Sequence, residues 1–152
     1  MSGALVIGIG NPDRGDDGAG RLVARRLREL VPGLAPCELD GAASALLDRL
    51  SGRAAAYVID AAATGRPIGA VQRFDAGHGP LPSGMDGCST HGLGLAEAIE
   101  LARALGTLPP RCIVYAIEGR DFSLGAPVSP AVAAAVEEVA ARILRELRTH
   151  GA

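Results

Sequence analysis

The chain has 152 residues, 48% of them hydrophobic and only 3% aromatic, with a formal net charge of -2 at pH 7. That length suits a single domain over residues 1–152 with a full core, and the near-neutral charge leaves no basic footprint for nucleic acid. Every one of the 15 basic residues is Arg, which excludes a Schiff-base lysine and a Walker A lysine.

The opening run from Met1 to Gly8 lacks a basic n-region and is only strand-length, so it does not read as a signal peptide. No stretch approaches the roughly 20 apolar residues of a membrane span. Cys37, Cys88 and Cys112 are odd in number and without Cys-x-x-Cys spacing. The expectation is reduced thiols in a cytoplasmic monomer, not a disulfide framework or a closed zinc site.

Short β-like runs alternate with helical ones, which predicts an α/β fold. Residues 4–9 read as a buried first strand and 17–30 as a helix with Leu22, Val23, Leu27 and Leu30 on one face, ended by Pro32-Gly33. Residues 35–39 form a weaker strand and 44–50 a short helix. Residues 55–59 are the clearest core strand, ending at Asp60, and 71–75 a fourth strand. The connection between these two, about ten residues with Gly65, Pro67 and Gly69, is too short for a parallel crossover, so the fourth strand should run antiparallel.

Residues 77–87 read as a Gly- and Pro-rich loop, and a helix is expected from about His91 to Leu105. Residues 111–117 are the last strand. Ser129-Pro130 reads as a capped helix start with proline at the first position, and Val132, Val136, Val139, Ile143 and Leu147 mark one apolar face. The expected architecture is a three-layer sandwich: a mostly parallel twisted sheet of about five strands, one antiparallel, with helices on both faces.

Three features carry chemistry. The first turn, Gly8-Ile9-Gly10-Asn11-Pro12-Asp13-Arg14-Gly15-Asp16-Asp17-Gly18-Ala19-Gly20, has Asp13 where a dinucleotide fingerprint needs glycine, and its three carboxylates repel phosphate. Asp16 or Asp17 capping the helix is the plain alternative. Asp60 follows Ala56-Tyr57-Val58-Ile59, on the strand edge where α/β proteins bind ligands, unless it caps a turn. In Cys88-Ser89-Thr90-His91 the hydroxyls suit a helix cap, leaving His91 in the first turn as a surface residue or a ligand.

Taken together, a doubly wound sheet would set Asp17 and Asp60 across one cleft, with His91 entering from the third helix. Two carboxylates and an imidazole suit a divalent ion of borderline softness. These blocks, with Val58-Ile59-Asp60-Ala61, Leu93-Gly94-Leu95, Glu118-Gly119, Leu124-Gly125 and Val128-Ser129-Pro130-Ala131-Val132, resemble in order the signature blocks of the hydrogenase maturation proteases. One departure follows strand two, where Asp40-Gly41-Ala42-Ala43 stands in place of the Asp-Gly-Gly-Thr common in that family.

The resemblance implies an endopeptidase that removes the C-terminal extension of a nickel-iron hydrogenase large-subunit precursor. It implies nickel contacts at Asp17, Asp60 and His91, the nickel arriving in the substrate rather than residing in the enzyme. Hydrolysis has two routes on these residues. Asp17 or Asp60 acts as general base on water with the metal as Lewis acid, or the two work as a metal-free carboxylate dyad.

Other readings compete. Cys88 as nucleophile with His91 as base lacks a third orienting group, and Gly87-Cys88-Ser89-Thr90-His91 lacks the closing glycine of a serine-hydrolase elbow. A flavin- or nucleotide-binding module conflicts with the acidic first turn. A nickel-handling chaperone with no cleavage step fits the same residues, and only an assay on precursor separates it from a protease.

Overall fold

A computed structural model describes residues 3–41, 43–81 and 94–150. Its strands are β1 (Leu5–Ile9), β2 (Cys37–Leu39), β3 (Ala55–Ala62), β4 (Val71–Asp75) and β5 (Arg111–Glu118). They lie in one sheet in the order β2-β1-β3-β5-β4. All neighbours run parallel except β4, which pairs antiparallel with β5. The short glycine-bearing connection from β3 to β4 therefore does what its length dictates, returning the chain without a crossover helix.

The alternation of side chains along each strand builds two cores. Ile7, Ile9, Val58 and Val114 point to the face covered by α2 (Ala43–Leu50) and α3 (Leu95–Leu105). Val6, Tyr57, Ile59, Ile113 and Ile117 point to the face covered by α1 (Ala19–Leu30) and α4 (Pro130–Thr149). The apolar stripe of α4, Val132, Val136, Val139, Ile143 and Leu147, is buried along its whole length, each side chain contributing about 1.5–3 kcal/mol. No helix among the described residues is long and apolar enough to cross a membrane.

Because β1 has β2 on one side and β3 on the other, the chain leaves the ends of these strands in opposite directions. In open α/β sheets this is where a crevice forms, here at the carboxyl ends of β1 and β3. Most boundaries differ by one or two residues from those read in the sequence, β2 for example beginning at Cys37 rather than at residue 35, and three differences bear on the site or its surroundings. β3 runs two residues past Asp60, because Ala61 and Ala62 continue the ladder against Ile117 and Glu118 and a ladder of backbone hydrogen bonds is indifferent to one acidic side chain. α1 begins at Ala19 rather than Asp17, after a 3₁₀ turn over Gly15–Gly18. Residues 76–78, at the start of the expected loop, form a second such turn. The expected start of α3 near His91 lies outside the described residues.

Candidate active site

The glycine-rich first turn exists to bring backbones together. A Cβ on Gly20 would sit 2.3 Å from the Ile59 carbonyl oxygen and 2.5 Å from that of Ile9, and one on Gly8 would sit 2.2 Å from the Gly20 carbonyl oxygen. The first turn of α1 thus lies directly on β1 and β3, with no room for a side chain between them. These glycines are a packing requirement and do not form a phosphate cradle. Their effect is to draw the segment before α1, which carries Asp17, over the crevice.

Asp17 sits in the 3₁₀ turn, 5% exposed, and its Oδ2 accepts a hydrogen bond from the Asn11 N–H at 2.9 Å. It is neither a helix cap nor a first-turn residue of α1, whose N-cap is Gly18 without any side-chain cap. Asp60 lies on β3, 1% exposed. Its Oδ1 accepts from the Ala61 N–H at 2.8 Å, while its Oδ2 is buried with no hydrogen-bond partner among the described residues. Burial pushes the Asp60 carboxyl well above its ordinary value; the Ala61 N–H opposes the rise and the neighbouring Asp17 charge adds to it. The structure thus brings Asp17 and Asp60 together at the crevice.

Among the described residues the buried polar or charged side chains are Asp16, Asp17, Asp60 and Glu118, all acidic. A buried carboxylate is costly unless donors surround it, and two of the four are fully supplied. Asp16 accepts from the N–H groups of Arg120, Asp121 and Ser129 at 2.8, 3.1 and 2.8 Å and from the Ser129 hydroxyl at 2.8 Å. Burial pushes its carboxyl up, but the bonds from Ser129, Arg120 and Asp121 outweigh that and hold it below its ordinary value. Glu118 takes the N–H groups of Thr64 and Gly65 and the Thr64 hydroxyl. An orphaned oxygen in this set is therefore notable, and it belongs to Asp60.

Among the described residues no three or more His, Cys, Asp or Glu side chains gather as a metal-binding group. Asp17 and Asp60 offer two oxygen donors. His91 and Cys88 lie outside the described residues. Cys112 is buried in the α2/α3 core, its thiol pushed up to about 12 chiefly by burial, which makes it a packing residue. The apolar hollow lined by Ala4, Leu34 and Leu147 lies beside the start of β1, at the amino ends of the strands and away from Asp17 and Asp60.

The family model described as hydrogenase maturation protease matches residues 41–146. The chain belongs to the hydrogenase maturation protease family. As a maturation protease it is a peptidase, and the matched stretch contains Asp60 and His91, while Asp17 precedes it. No curated protein matches the chain in sequence. Among solved structures, the chain is similar to a [NiFe] hydrogenase maturation protease HycI from Thermococcus kodakarensis, at 26% identity and TM-score 0.69, over 97% of this chain and 93% of that one. An endopeptidase from Escherichia coli aligns at TM-score 0.84 and 22% identity, over 98% and 94%. The hydrogenase maturating endopeptidase HybD from E. coli aligns at TM-score 0.76 and 24% identity, over 98% and 94%. The last two share this protease's fold.

The roles of three residues of the maturation protease, Asp16, Ser129 and Glu118, escape a reading of its sequence. Asp16 reads as a cap, and Ser129 as the hydroxyl that caps α4; instead Ser129 gives its hydroxyl to Asp16, and α4 starts without a side-chain cap, on Pro130. Glu118 follows the expected end of the last strand and enters the sequence reading only through the Glu118-Gly119 block. Its signal was available, since a carboxylate directly after Ala116-Ile117 at the end of a buried run needs donors from somewhere.

Proposed function

We propose that this protease removes the C-terminal extension of a nickel-iron hydrogenase large-subunit precursor after nickel insertion, contacting the precursor's nickel through Asp17, Asp60 and His91. The observation that carries this reading is the Asp60 Oδ2, a buried oxygen with no hydrogen-bond partner among the described residues, at the crevice beside Asp17. An acceptor left bare in a low-dielectric site is costly, and a cation delivered by a partner offsets that cost. The names of solved relatives supply the substrate class. His91 enters by its position in the sequence, three residues after Cys88 at the expected helix start.

Asp17 is the better placed of the two carboxylates to take a proton from water. It is held by Asn11 from a turn at the crevice, whereas Asp60 lies within the strand. Asp60, almost fully buried, lies on the inner side of the crevice. Nickel bound in the precursor supplies positive charge that anchors the cleavage segment and polarises the scissile carbonyl. The enzyme's own two carboxylates are hard donors that hold free nickel weakly, so thiolates of the precursor complete the set. Two weak contacts joined on one partner add in free energy, which makes the metal a check on the substrate's readiness.

The test is a gel assay on precursor large subunit prepared with and without nickel. Cleavage of the loaded form alone supports the reading. Equal cleavage of both forms removes nickel from recognition, and cleavage of neither, with nickel bound tightly, favours a chaperone.

A further inference from the structure

We propose that Asp16 is a positioning residue, which locks residues 119–129 onto the turn carrying Asp17 and so fixes the Asp17 carboxylate over the crevice. This rests on Asp17 working at the scissile bond. Three backbone N–H groups and a hydroxyl converge on the Asp16 side chain, which is fully buried. Both of its oxygens are engaged and the side chain is fully buried, so Asp16 presents no group to substrate, water or metal. Its work is done on the protein.

The clamp continues along the backbone. The Asp16 N–H donates to the Asp121 carbonyl at 2.9 Å, and the Gly125 N–H to the Asp13 carbonyl at 2.7 Å. Two glycines let the segments approach this closely. Gly15, at φ 54, would place a Cβ 2.4 Å from the Asp121 carbonyl oxygen, and Gly119 would place one 2.7 Å from the Asp16 Cβ. On the far side of the same turn, the Asp17 N–H donates to the Arg14 carbonyl at 3.0 Å and the Asp17 Oδ2 holds Asn11. The turn is thus gripped from behind by Asp16 and presents Asp17 in front. Letting go of the rear grip frees the turn to shift by an ångström without unfolding α1 or β1, whose own contacts lie elsewhere.

Asp16→Asn is the direct test, because an amide nitrogen must then face at least one N–H donor. With nickel-loaded precursor, kcat should fall about 10²-fold while KM stays within about threefold, as expected when a reacting group is displaced but the wider substrate contact survives. Ser129→Ala, which removes only the hydroxyl, should lower kcat several-fold, and Ser129→Thr should restore it. Val139→Ala, in the buried stripe of α4, is the control for stability: it should lower the melting temperature and leave kcat alone.

Wild-type kcat in folded Asp16→Asn, with Asp17→Asn inactive, overturns the positioning role. A kcat loss in Val139→Ala matching that of Asp16→Asn overturns it too, because stability then explains both. If Asp16→Asn does not fold, the Ser129 pair decides, and equal rates in Ser129→Ala and wild type refute the clamp. Full activity in Asp17→Asn instead removes the reading of Asp17 on which the inference stands.

Discussion

Glu118 at the end of β5 binds Thr64, just beyond the end of β3, through both the Thr64 N–H at 2.8 Å and its hydroxyl at 2.6 Å, and takes the Gly65 N–H at 3.1 Å as well. One buried carboxylate therefore shapes the turn that sends the chain into the antiparallel strand. Glu118→Ala leaves those donors short of a partner, at about 1–3 kcal/mol. The melting temperature should fall by about 2–4 °C for each kcal/mol in a chain of this size. Thr64→Val, which keeps the N–H, should cost less. Thermal melts of the two variants check the order.

Asp17→Asn should fold normally, since the amide keeps an oxygen to accept the Asn11 N–H. Precursor processing should nevertheless drop by about 10²-fold or more, the usual contribution of a general base. His91→Ala should lose processing too. Asp60→Asn should do the same without a lower melting temperature, because it replaces a poorly supplied buried carboxylate by a neutral group of the same shape. Normal processing by any of the three removes that residue from the site.

Stability should depend on pH through Glu146, remote from the crevice. It accepts from Arg73 at 2.6 and 3.2 Å, from Arg111 at 2.8 Å and from the Tyr115 hydroxyl. Burial pushes its carboxyl up, but the bonds from Arg73 and Tyr115 and the Arg73 and Arg111 charges bring it below its ordinary 4.5. A depressed carboxyl stabilises the fold above the unfolded value, and the contribution is lost as pH falls through the folded one. Tyr115 carries the opposite sign. Its hydroxyl is pushed from 10 up to about 12, first by burial and then by Glu146, so its contribution is present below pH 10 and lost as pH rises towards 12. Glu146→Gln should flatten the acid limb of a denaturation curve, and Tyr115→Phe the alkaline limb.

Metal content gives a separate check. The purified enzyme should carry well under one nickel or zinc per chain by elemental analysis, since on the proposed scheme its own ligand set is incomplete until the precursor's thiolates join it. Stoichiometric resident metal overturns recognition through the substrate's nickel while leaving peptidase activity untouched.

The sheet was legible because its evidence is local. Ala56 to Ile59 and Cys112 to Ile117 are unbroken apolar runs, α4 writes its buried stripe in five residues, and a short glycine-bearing connection admits one strand direction. Asp60 stood out as a charge directly after such a run. The acidic doublet was harder. Asp16 and Asp17 are chemically identical and both suit a helix start, and what separates them is Ser129, 113 residues away. Local pattern likewise suggested that Ser129 would cap its own helix, whereas a buried carboxylate elsewhere in the fold took the hydroxyl.

That separation has a temporal meaning. On a growing chain, Asp17 and Asp60 are synthesised within the first half, yet the donors that secure the turn under Asp17 appear only with residues 120–129. Contacts so distant in sequence close late, after the entropy of the long intervening loop has been overcome. The grip on the turn under Asp17 thus comes from segments that follow the last strand, so this part of the fold is secured only when most of the chain has been made.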